Sequence, residues 1–136
     1  MNRIPLLVSD YMTRDPLTVT PETEITQVVR LLIDNDRSGA LVVDRDGVLV
    51  GVVTERDCIE AAVTADYYEE WGGPVEKFMS APVEHIAPDD NVVDVAARMA
   101  SSSYRRFPVL DKGRLVGLMS RREVLRALAN GSWFKS

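Results

Sequence analysis

The sequence contains few of the residues that build disulfide bonds and metal sites. Cys58 is its only cysteine and His85 its only histidine. A single cysteine excludes an internal disulfide bond, so a reducing, cytoplasmic location is the simplest expectation. The two residues also provide no cluster of cysteine and histidine ligands for a metal ion.

Long apolar runs are missing as well. No stretch approaches the ~20 apolar residues of a membrane span. The N-terminus has no basic segment that leads into a long apolar stretch and a cleavage site. We therefore expect a protein that neither crosses a membrane nor is exported.

A surplus of positive charge is also absent. The net charge is −5 and the isoelectric point is near 4.9, which argues against a general nucleic-acid binder with a broad basic face. Residues 1–68 carry 6 basic and 12 acidic residues, whereas residues 69–136 carry 10 and 9. The second half has two arginine pairs, at residues 105–106 and 121–122. Such pairs are usually solvated, but they would hold phosphate oxygens if folding brought them together.

The common signatures of catalysis are missing. Residues 47–51 lack the lysine and the hydroxyl residue of a phosphate-cradling P-loop, and no nucleophile-elbow pattern occurs. Cys58 falls where a buried helix residue is expected, with no histidine nearby in the sequence. We expect neither enzymatic activity nor a catalytic cofactor.

What the chain does contain is an internal repeat. Three pairs of segments match in order: 8–13 (VSDYMT) with 75–80 (VEKFMS), 19–22 (VTPE) with 86–89 (IAPD), and 47–57 (GVLVGVVTERD) with 113–123 (GRLVGLMSRRE). Neither repeat would bury enough surface alone. We therefore expect two similar units packed about a pseudo-twofold axis, with two related clefts that suit ligands.

The first repeat predicts the element order β-α-β-β-α. A short strand at residues 18–19 precedes a helix that has Thr23 as its N-cap. A buried strand at residues 40–43 then leads through a turn into a strand at residues 48–53, where Gly51 suggests a close approach by backbone or ligand. The core faces of the two helices are predicted to carry Ile25, Val28, Val29, Leu32 and Ile33, and then Ile59, Ala62 and Val63.

The second repeat copies this order, with a short strand at residues 85–86 and later strands at residues 107–110 and 115–119. Its helices are predicted to bury Val92, Val95, Ala96, Met99 and Ala100, and then Val124, Leu125 and Leu128. The prediction is an α/β (α+β) fold of two β-α-β-β-α repeats. Its parts are repeat 1 (5–66), an inter-repeat linker (67–74), repeat 2 (75–130) and a C-terminal tail (131–136).

Aromatic residues cluster at the linker and at the tail. Tyr67, Tyr68 and Trp71 lie within one helical turn and precede a strong stop at residues 72–74. They favour a helix extension that packs on the core, or alternatively a subunit contact or a lid over a cleft. Trp133 and Phe134 raise the same alternatives, because aromatic residues are enriched at interfaces.

These motifs together resemble a tandem pair of CBS domains (cystathionine-β-synthase-type domains). The resemblance rests on V-x-D-aromatic-M-T, V-x-P-E, an amphipathic helix, a strand ending in V-V-D, and G-V-V-T-x-x-D. It covers about residues 5–130. It implies a regulatory module that binds an adenosine-containing ligand (AMP, ADP, ATP, S-adenosylmethionine or NAD) between its repeats. Such pairs are usually attached to an enzyme, channel or transporter, and two pairs commonly form a disc-like homodimer.

The segment at residues 54–57 has two interpretations. A threonine followed three residues later by an acid is a capping box, which needs no ligand. In the family, however, the Thr and Asp face the cleft, and the carboxylate accepts hydrogen bonds from both ribose hydroxyls. The resemblance therefore assigns ribose binding to Thr54 and Asp57, because a carboxylate offers two acceptor oxygens to a diol. The adjacent helix N-terminus would favour phosphate.

The resemblance places the opposite wall of this site in the second repeat. Its members are His85, Ile86, Tyr104, Arg105, Arg106, Phe107 and Pro108. Ile86, Tyr104 and the neighbouring main chain would form an adenine slot, and Arg106 would bind phosphate. His85 would add a hydrogen-bond donor, although a lone histidine is more often a simple surface residue.

The second, doubtful site departs from the family pattern. Its residues are Ser120, Arg121, Arg122 and Glu123, opposite a wall of Thr18, Val19, Ser38, Gly39 and Ala40. Glu123 is one methylene longer than the family's aspartate, and Ser-x-x-Glu is itself a standard capping box. We expect one good site and one doubtful site.

Assembly and partners follow from the same resemblance. We expect a homodimer buried through the second helix of each unit, at residues 59–63 and 125–128, because four small units close a core better than two. An unidentified effector protein would receive the signal. The alternative is a purely structural dimerisation or interaction module whose cleft is vestigial.

Overall fold

The computed structural model describes residues 6–68 and 72–131, with side chains described for residues 6–65 and 72–131. The chain divides into two compact units. One is the continuous unit, Pro16–Val83; the other is the split unit, which combines Met1–Asp15 with Glu84–Ser136. The predicted contributions of Trp71, Trp133 and Phe134, and of the side chains of Tyr67 and Tyr68, lie outside this description.

The continuous unit contains a three-stranded sheet and two long helices. Its elements are β1 (Thr18–Val19), α2 (Ile25–Asp34), β2 (Gly39–Val43), β3 (Leu49–Thr54), α3 (Glu55–Tyr68) and a 3₁₀ helix (Val75–Lys77); the first helix of the chain, α1 (Val8–Tyr11), belongs to the split unit. The sheet order is β1-β2-β3. β1 runs parallel to β2, and β2 runs antiparallel to β3 with Gly39 opposite Thr54.

Local chemistry explains the hairpin between β2 and β3. Asp44 Oδ1 accepts hydrogen bonds from the main-chain N–H groups of Asp46 (2.8 Å) and Val48 (3.0 Å). Gly47 takes the left-handed conformation, φ +80°, that closes the turn. The predicted turn at residues 44–47 is confirmed.

The core of the continuous unit lies between the sheet and the inner faces of α2 and α3. Its buried members are Val19, Ile25, Val28, Leu32, Ala40, Val42, Val53, Cys58, Ala61 and Val75. Most are β-branched or small, which suits a short, tightly packed sheet.

The split unit contains α1, α4 (Val92–Ala100), β4 (Arg106–Asp111), β5 (Arg114–Ser120) and α5 (Arg121–Asn130). β4 and β5 form an antiparallel hairpin with Arg106 opposite Ser120. Ile86 adds a single parallel bridge to Val109, so the strand predicted at residues 85–86 is reduced to one residue pair. Its core consists of Leu6, Val8, Met12, Ile86, Val92, Val95, Met99, Phe107, Val109, Met119, Val124 and Ala127.

In each hairpin a methionine from another segment of the same unit lies so close to one glycine that a Cβ atom would not fit there. A Cβ atom on Gly117 would lie 2.6 Å from Met12 Sδ and 2.8 Å from the carbonyl oxygen of Thr13. A Cβ atom on Gly51 would collide with the Sδ atom of Met79. The close approach predicted at Gly51 is therefore made by a side chain and the adjoining backbone of the protein itself.

The methionine segments are also hydrogen-bonded to the hairpins. The N–H of Thr13 donates to the carbonyl oxygen of Leu118 and the N–H of Leu118 to that of Thr13, both at 2.9 Å. Ser80 and Val52 make the same reciprocal pair at 2.8 and 3.0 Å. The V-x-x-aromatic-M-S/T motif of the first repeat therefore packs against the hairpin of the second repeat. The same motif of the second repeat packs against the hairpin of the first.

Several helix-face predictions were wrong. Ile33, predicted to face the core, is 72% exposed, and the N-cap of α2 is Glu24 rather than Thr23, whose hydroxyl instead accepts from the N–H of Thr20. Ile59 and Val63 are 63% and 65% exposed. The exposed set also includes Ala62, Ala100 and Leu125.

The reason in α3 is the size of the residues on its inner face. Cys58, Ala61 and Ala65 are buried there, so the helix packs closely against its neighbours through small side chains. The larger apolar residues Ile59 and Val63 then lie on the opposite face. The spacing of apolar residues does not tell which face of a helix is buried when both faces carry such residues.

Candidate functional site

The candidate ribose site begins where β3 ends and α3 starts. Asp57 Oδ2 accepts hydrogen bonds from the N–H (2.9 Å) and the hydroxyl (3.1 Å) of Thr54, and the N–H of Asp57 lies 3.3 Å from Thr54 Oγ1. Both residues are half-buried. This is the reciprocal capping box that the spacing predicts. Within the described part of the chain Oδ1 accepts no hydrogen bond, so the carboxylate keeps acceptor capacity.

The corresponding position in the split unit is more enclosed. Glu123 is only 7% exposed, and its Oε2 atom is hydrogen-bonded to the hydroxyl of Ser120. It is the one buried charged residue in the described ranges. Its carboxylate is therefore less accessible to a ligand than that of Asp57.

Four of the predicted wall residues are brought together in the split unit. The N–H of Ile86 donates to the carbonyl oxygen of Pro108 at 3.0 Å, which fixes the segment beside β4. The rings of Tyr104 and Phe107 lie with centroids 5.3 Å apart. Phe107 is fully buried in the core, whereas Tyr104 is 45% exposed. Tyr104 is thus the aromatic surface that this wall offers, and Phe107 supports it from beneath.

The two arginine pairs also meet in the split unit. The N–H of Arg121 donates to the carbonyl oxygen of Arg105 at 3.1 Å, where the start of α5 meets the start of β4. Arg105, Arg121 and Arg122 are exposed and Arg106 is half-buried. His85, at the far side of Ile86, is exposed. Folding therefore makes the main chains of the two arginine pairs neighbours. Their guanidinium groups would hold phosphate oxygens if the side chains also converged.

The wall predicted for the doubtful site lies in the continuous unit, next to the candidate ribose residues. Gly39 pairs with Thr54, and the N–H of Glu55 donates to the carbonyl oxygen of Ser38 at 2.9 Å. Thr18 is exposed, whereas Val19 and Ala40 are buried. Each unit therefore carries the acidic residue of one predicted site and the wall residues of the other.

Cys58 follows Asp57 directly and faces the core. Burial, followed by the nearby carboxylates of Asp57 and Glu55, raises the pKa of the Cys58 thiol. The thiol is therefore neutral at pH 7 and a weak nucleophile. In the described ranges no group of three or more histidine, cysteine or acidic side chains is arranged to hold a metal ion. No helix in the same ranges is long and apolar enough to cross a membrane.

Arg98 was missed by the sequence analysis. It lies in the last turn of α4, with its guanidinium 4.5 Å from the centroid of the Phe107 ring. It also donates to the carbonyl oxygen of His85 (3.2 Å) and forms an ion pair with Glu84 (2.8 Å). Nothing in the local sequence pattern marks this arginine, because its partners come from other elements.

Comparison with known proteins identifies the family. The family model described as the CBS domain matches twice, at residues 8–64 and 75–130. The chain belongs to the CBS domain family. The resemblance drawn from the repeated motifs is therefore confirmed, as is the mixed fold of small sheets and helices.

Relatives of this CBS pair include a protein of similar size and two ligand complexes. The CBS domain-containing protein YhcV of Bacillus subtilis is 32% identical over 113 residues, which are 83% of this chain and 79% of YhcV. The structure of CBSX2, a protein of Arabidopsis thaliana, in complex with AMP has a TM-score of 0.79 at 28% identity and covers 89% and 94% of the two chains. The CBS domain pair of protein MJ0100, in complex with 5′-methylthioadenosine and S-adenosyl-L-methionine, has a TM-score of 0.77 at 25% identity and covers 93% and 98%.

Proposed function

We propose that this CBS pair is a cytoplasmic, non-catalytic regulatory module that binds an adenosine-containing ligand. AMP, ADP, ATP, S-adenosylmethionine and NAD are the candidates. Two CBS-pair relatives of known structure hold AMP, or methylthioadenosine and S-adenosylmethionine, which supports the adenosyl class. The repeats responsible are residues 5–66 and 75–130, with residues 67–74 as the linker and 131–136 as the tail.

The observation that carries the proposal is the state of Asp57. Its Oδ2 atom is held by Thr54 at the start of α3, so the carboxylate is oriented before any ligand arrives. The same carboxylate is half-buried, and its Oδ1 atom accepts no hydrogen bond from the described residues. A pre-oriented acceptor suits a ribose hydroxyl, because little side-chain ordering is left to oppose binding.

The other ligand contacts come from the split unit. We propose that Ile86 and Tyr104 enclose the adenine base, with main-chain groups of Phe107 and Pro108 at its polar edge. Arg106 and Arg105 would bind phosphate, and His85 would add a donor. The exposure of Tyr104 and the meeting of the two arginine pairs support these roles.

We propose that the doubtful site binds ligand less readily than the Asp57 site. Glu123 is nearly enclosed and bonded to Ser120, so its carboxylate would have to rearrange to reach a ribose. Arg121 and Arg122 still bring positive charge, and Thr18, Val19, Ser38, Gly39 and Ala40 would leave room for a base. We propose that ligand occupies the Asp57 site first.

The test is a pair of charge-neutralising variants. Asp57→Asn keeps the shape and one acceptor oxygen, and it should weaken AMP binding by about 1.5–3 kcal/mol, the range for a hydrogen bond to a charged group. Glu123→Gln, its matched control, should leave the stronger binding event nearly unchanged. Both are measured by isothermal titration calorimetry on the intact protein.

Thermal melting provides an independent measurement for the same proposal. A ligand at 100 times its Kd should stabilise the fold by ~2.7 kcal/mol, which is visible as a melting shift. Unchanged melting with all five candidate ligands at millimolar levels would refute the proposal. Equal losses for Asp57→Asn and Glu123→Gln would show that the two sites are ranked wrongly.

A second candidate function is pure dimerisation with an unused cleft. It is favoured by the exposed apolar residues Ile59, Val63 and Leu125 on the outer faces of α3 and α5. These faces also suit the homodimer that we propose for the ligand-binding module, which would signal to an effector protein. Only the ligand measurements separate the two functions.

A further inference from the structure

Arg98 connects several parts of the wall that the split unit would present to the adenine base. Its guanidinium donates to the carbonyl oxygen of His85 (3.2 Å) and to a carboxylate oxygen of Glu84 (2.8 Å). Its Cζ atom lies 4.5 Å from the centroid of the buried Phe107 ring. One side chain therefore contacts both the segment before Ile86 and the ring beneath Tyr104.

The main chain of Arg98 provides a second connection. Its carbonyl oxygen, near the end of α4, accepts hydrogen bonds from the hydroxyls of Ser101 (3.3 Å) and Ser102 (2.6 Å). The hydroxyl oxygen of Ser102 in turn lies 3.3 Å from the N–H of Tyr104. The turn that carries Tyr104 is thus fastened to the same helix end.

We infer that Arg98 is a positioning residue for the adenine base: it holds the His85–Ile86 segment and Tyr104 at a fixed separation. The inference rests on the proposed function, since the wall acts only if an adenosyl ligand binds there. The contacts of Arg98 with the Phe107 ring and with the carbonyl oxygen of His85 are the observations that support this role.

Arginine suits this role better than lysine. The planar guanidinium offers several N–H donors in a fixed fork, so it can serve a carbonyl and a carboxylate at once while its flat face covers an aromatic ring. A lysine would keep the positive charge and one of these contacts. Alanine would remove all three side-chain contacts and leave the main-chain bonds to Ser101 and Ser102 intact.

The experiment measures AMP and GMP affinities by calorimetry for the wild type, Arg98→Ala, Arg98→Lys and Glu84→Gln. Arg98→Ala should weaken AMP about three- to tenfold, the effect of one lost hydrogen bond, and weaken GMP less. The ratio of the two dissociation constants should therefore fall. Arg98→Lys should recover part of the ratio, and Glu84→Gln should change it least. Arg126→Ala, an exposed arginine of α5, is the matched control.

The selectivity ratio distinguishes positioning from a merely structural role. A variant that only loosens the fold lowers the melting temperature but leaves the preference of the folded molecules for adenine unchanged. If Arg98→Ala is poorly folded, Arg98→Lys and Glu84→Gln decide, and an unchanged ratio in both overturns the inference. A wild type that binds AMP and GMP equally also overturns it. A wild type whose melting temperature responds to none of the five candidate ligands refutes the proposed function instead.

Discussion

Gly117→Ala should destabilise the protein by about 3 kcal/mol. The new Cβ atom would lie 2.6 Å from Met12 Sδ and 2.8 Å from the carbonyl oxygen of Thr13. The methionine can turn aside, but Thr13 is tied to Leu118 by two main-chain bonds of 2.9 Å. Overpacking costs about 1–3 kcal/mol, and each weakened hydrogen bond adds about 1 kcal/mol.

Two other glycines provide the comparison. A Cβ atom on Gly113 meets nothing within 4 Å, so Gly113→Ala should cost only the about 1–2 kcal/mol of its left-handed backbone, φ +83°. At Gly51 the nearest atoms belong to the flexible side chain of Met79, and the carbonyl oxygen of Ser80 is 3.1 Å away. Gly51→Ala should therefore cost less than Gly117→Ala, and Met79→Ala should partly relieve it.

The assay is urea unfolding followed by circular dichroism, without nucleotide and at one protein concentration, because assembly shifts apparent stability. The expected order of destabilisation is Gly117→Ala first, with Gly51→Ala and Gly113→Ala behind it. A Gly117→Ala protein that unfolds within 0.5 kcal/mol of the wild type, roughly the effect of an ordinary surface change, would refute the reasoning about Thr13. So would full recovery on adding Met12→Ala, because that change leaves the backbone contact in place.

Three further predictions concern assembly, titration and phosphate binding. Light scattering at tens of micromolar should give twice the 15.1 kDa chain mass, and Val63→Asp should shift the protein toward monomer; a monomeric wild type would contradict this. Folding raises the pKa of the Cys58 thiol. The contribution of the protonated thiol to the unfolding free energy is therefore complete below the unfolded thiol's pKa of about 8.5, and it is lost as the pH rises through the folded pKa. The unfolding free energy should fall in that alkaline range, and an equal fall in Cys58→Ala would disprove the assignment. Arg106→Ala should weaken ATP binding but spare adenosine, and equal losses of both would exclude a phosphate role.

Much of the local structure could be predicted because its causes are local. The hairpin turn depends on Asp44 and Gly47, and the cap at the start of α3 depends on Thr54 and Asp57, three residues apart. The same motifs occur in the same order in both halves of the sequence. The family could therefore be identified from the order of the motifs.

The remainder depends on contacts between distant residues. The exposure of Ile59 is decided by the small residues on the opposite face of α3, which suit a close approach of neighbouring elements. The contacts of Arg98 come from residues that precede α4 or follow it, and the hydroxyl of Thr13 reaches Leu118 across 105 positions in the sequence. No periodicity within a single element contains such information.

The packing of Met12 against Gly117 has a consequence for synthesis on the ribosome. Residues 16–83 form one unbroken stretch and can begin to pack while translation continues. The segment that carries α1 leaves the ribosome before them, whereas its partners in β5 and α5 are made after them. The apolar residues Leu6, Val8 and Met12 therefore lack their own core until β5 and α5 have been synthesised. The α1 segment therefore meets its partners only after the whole continuous unit has been made, and during that interval its exposed apolar residues favour aggregation.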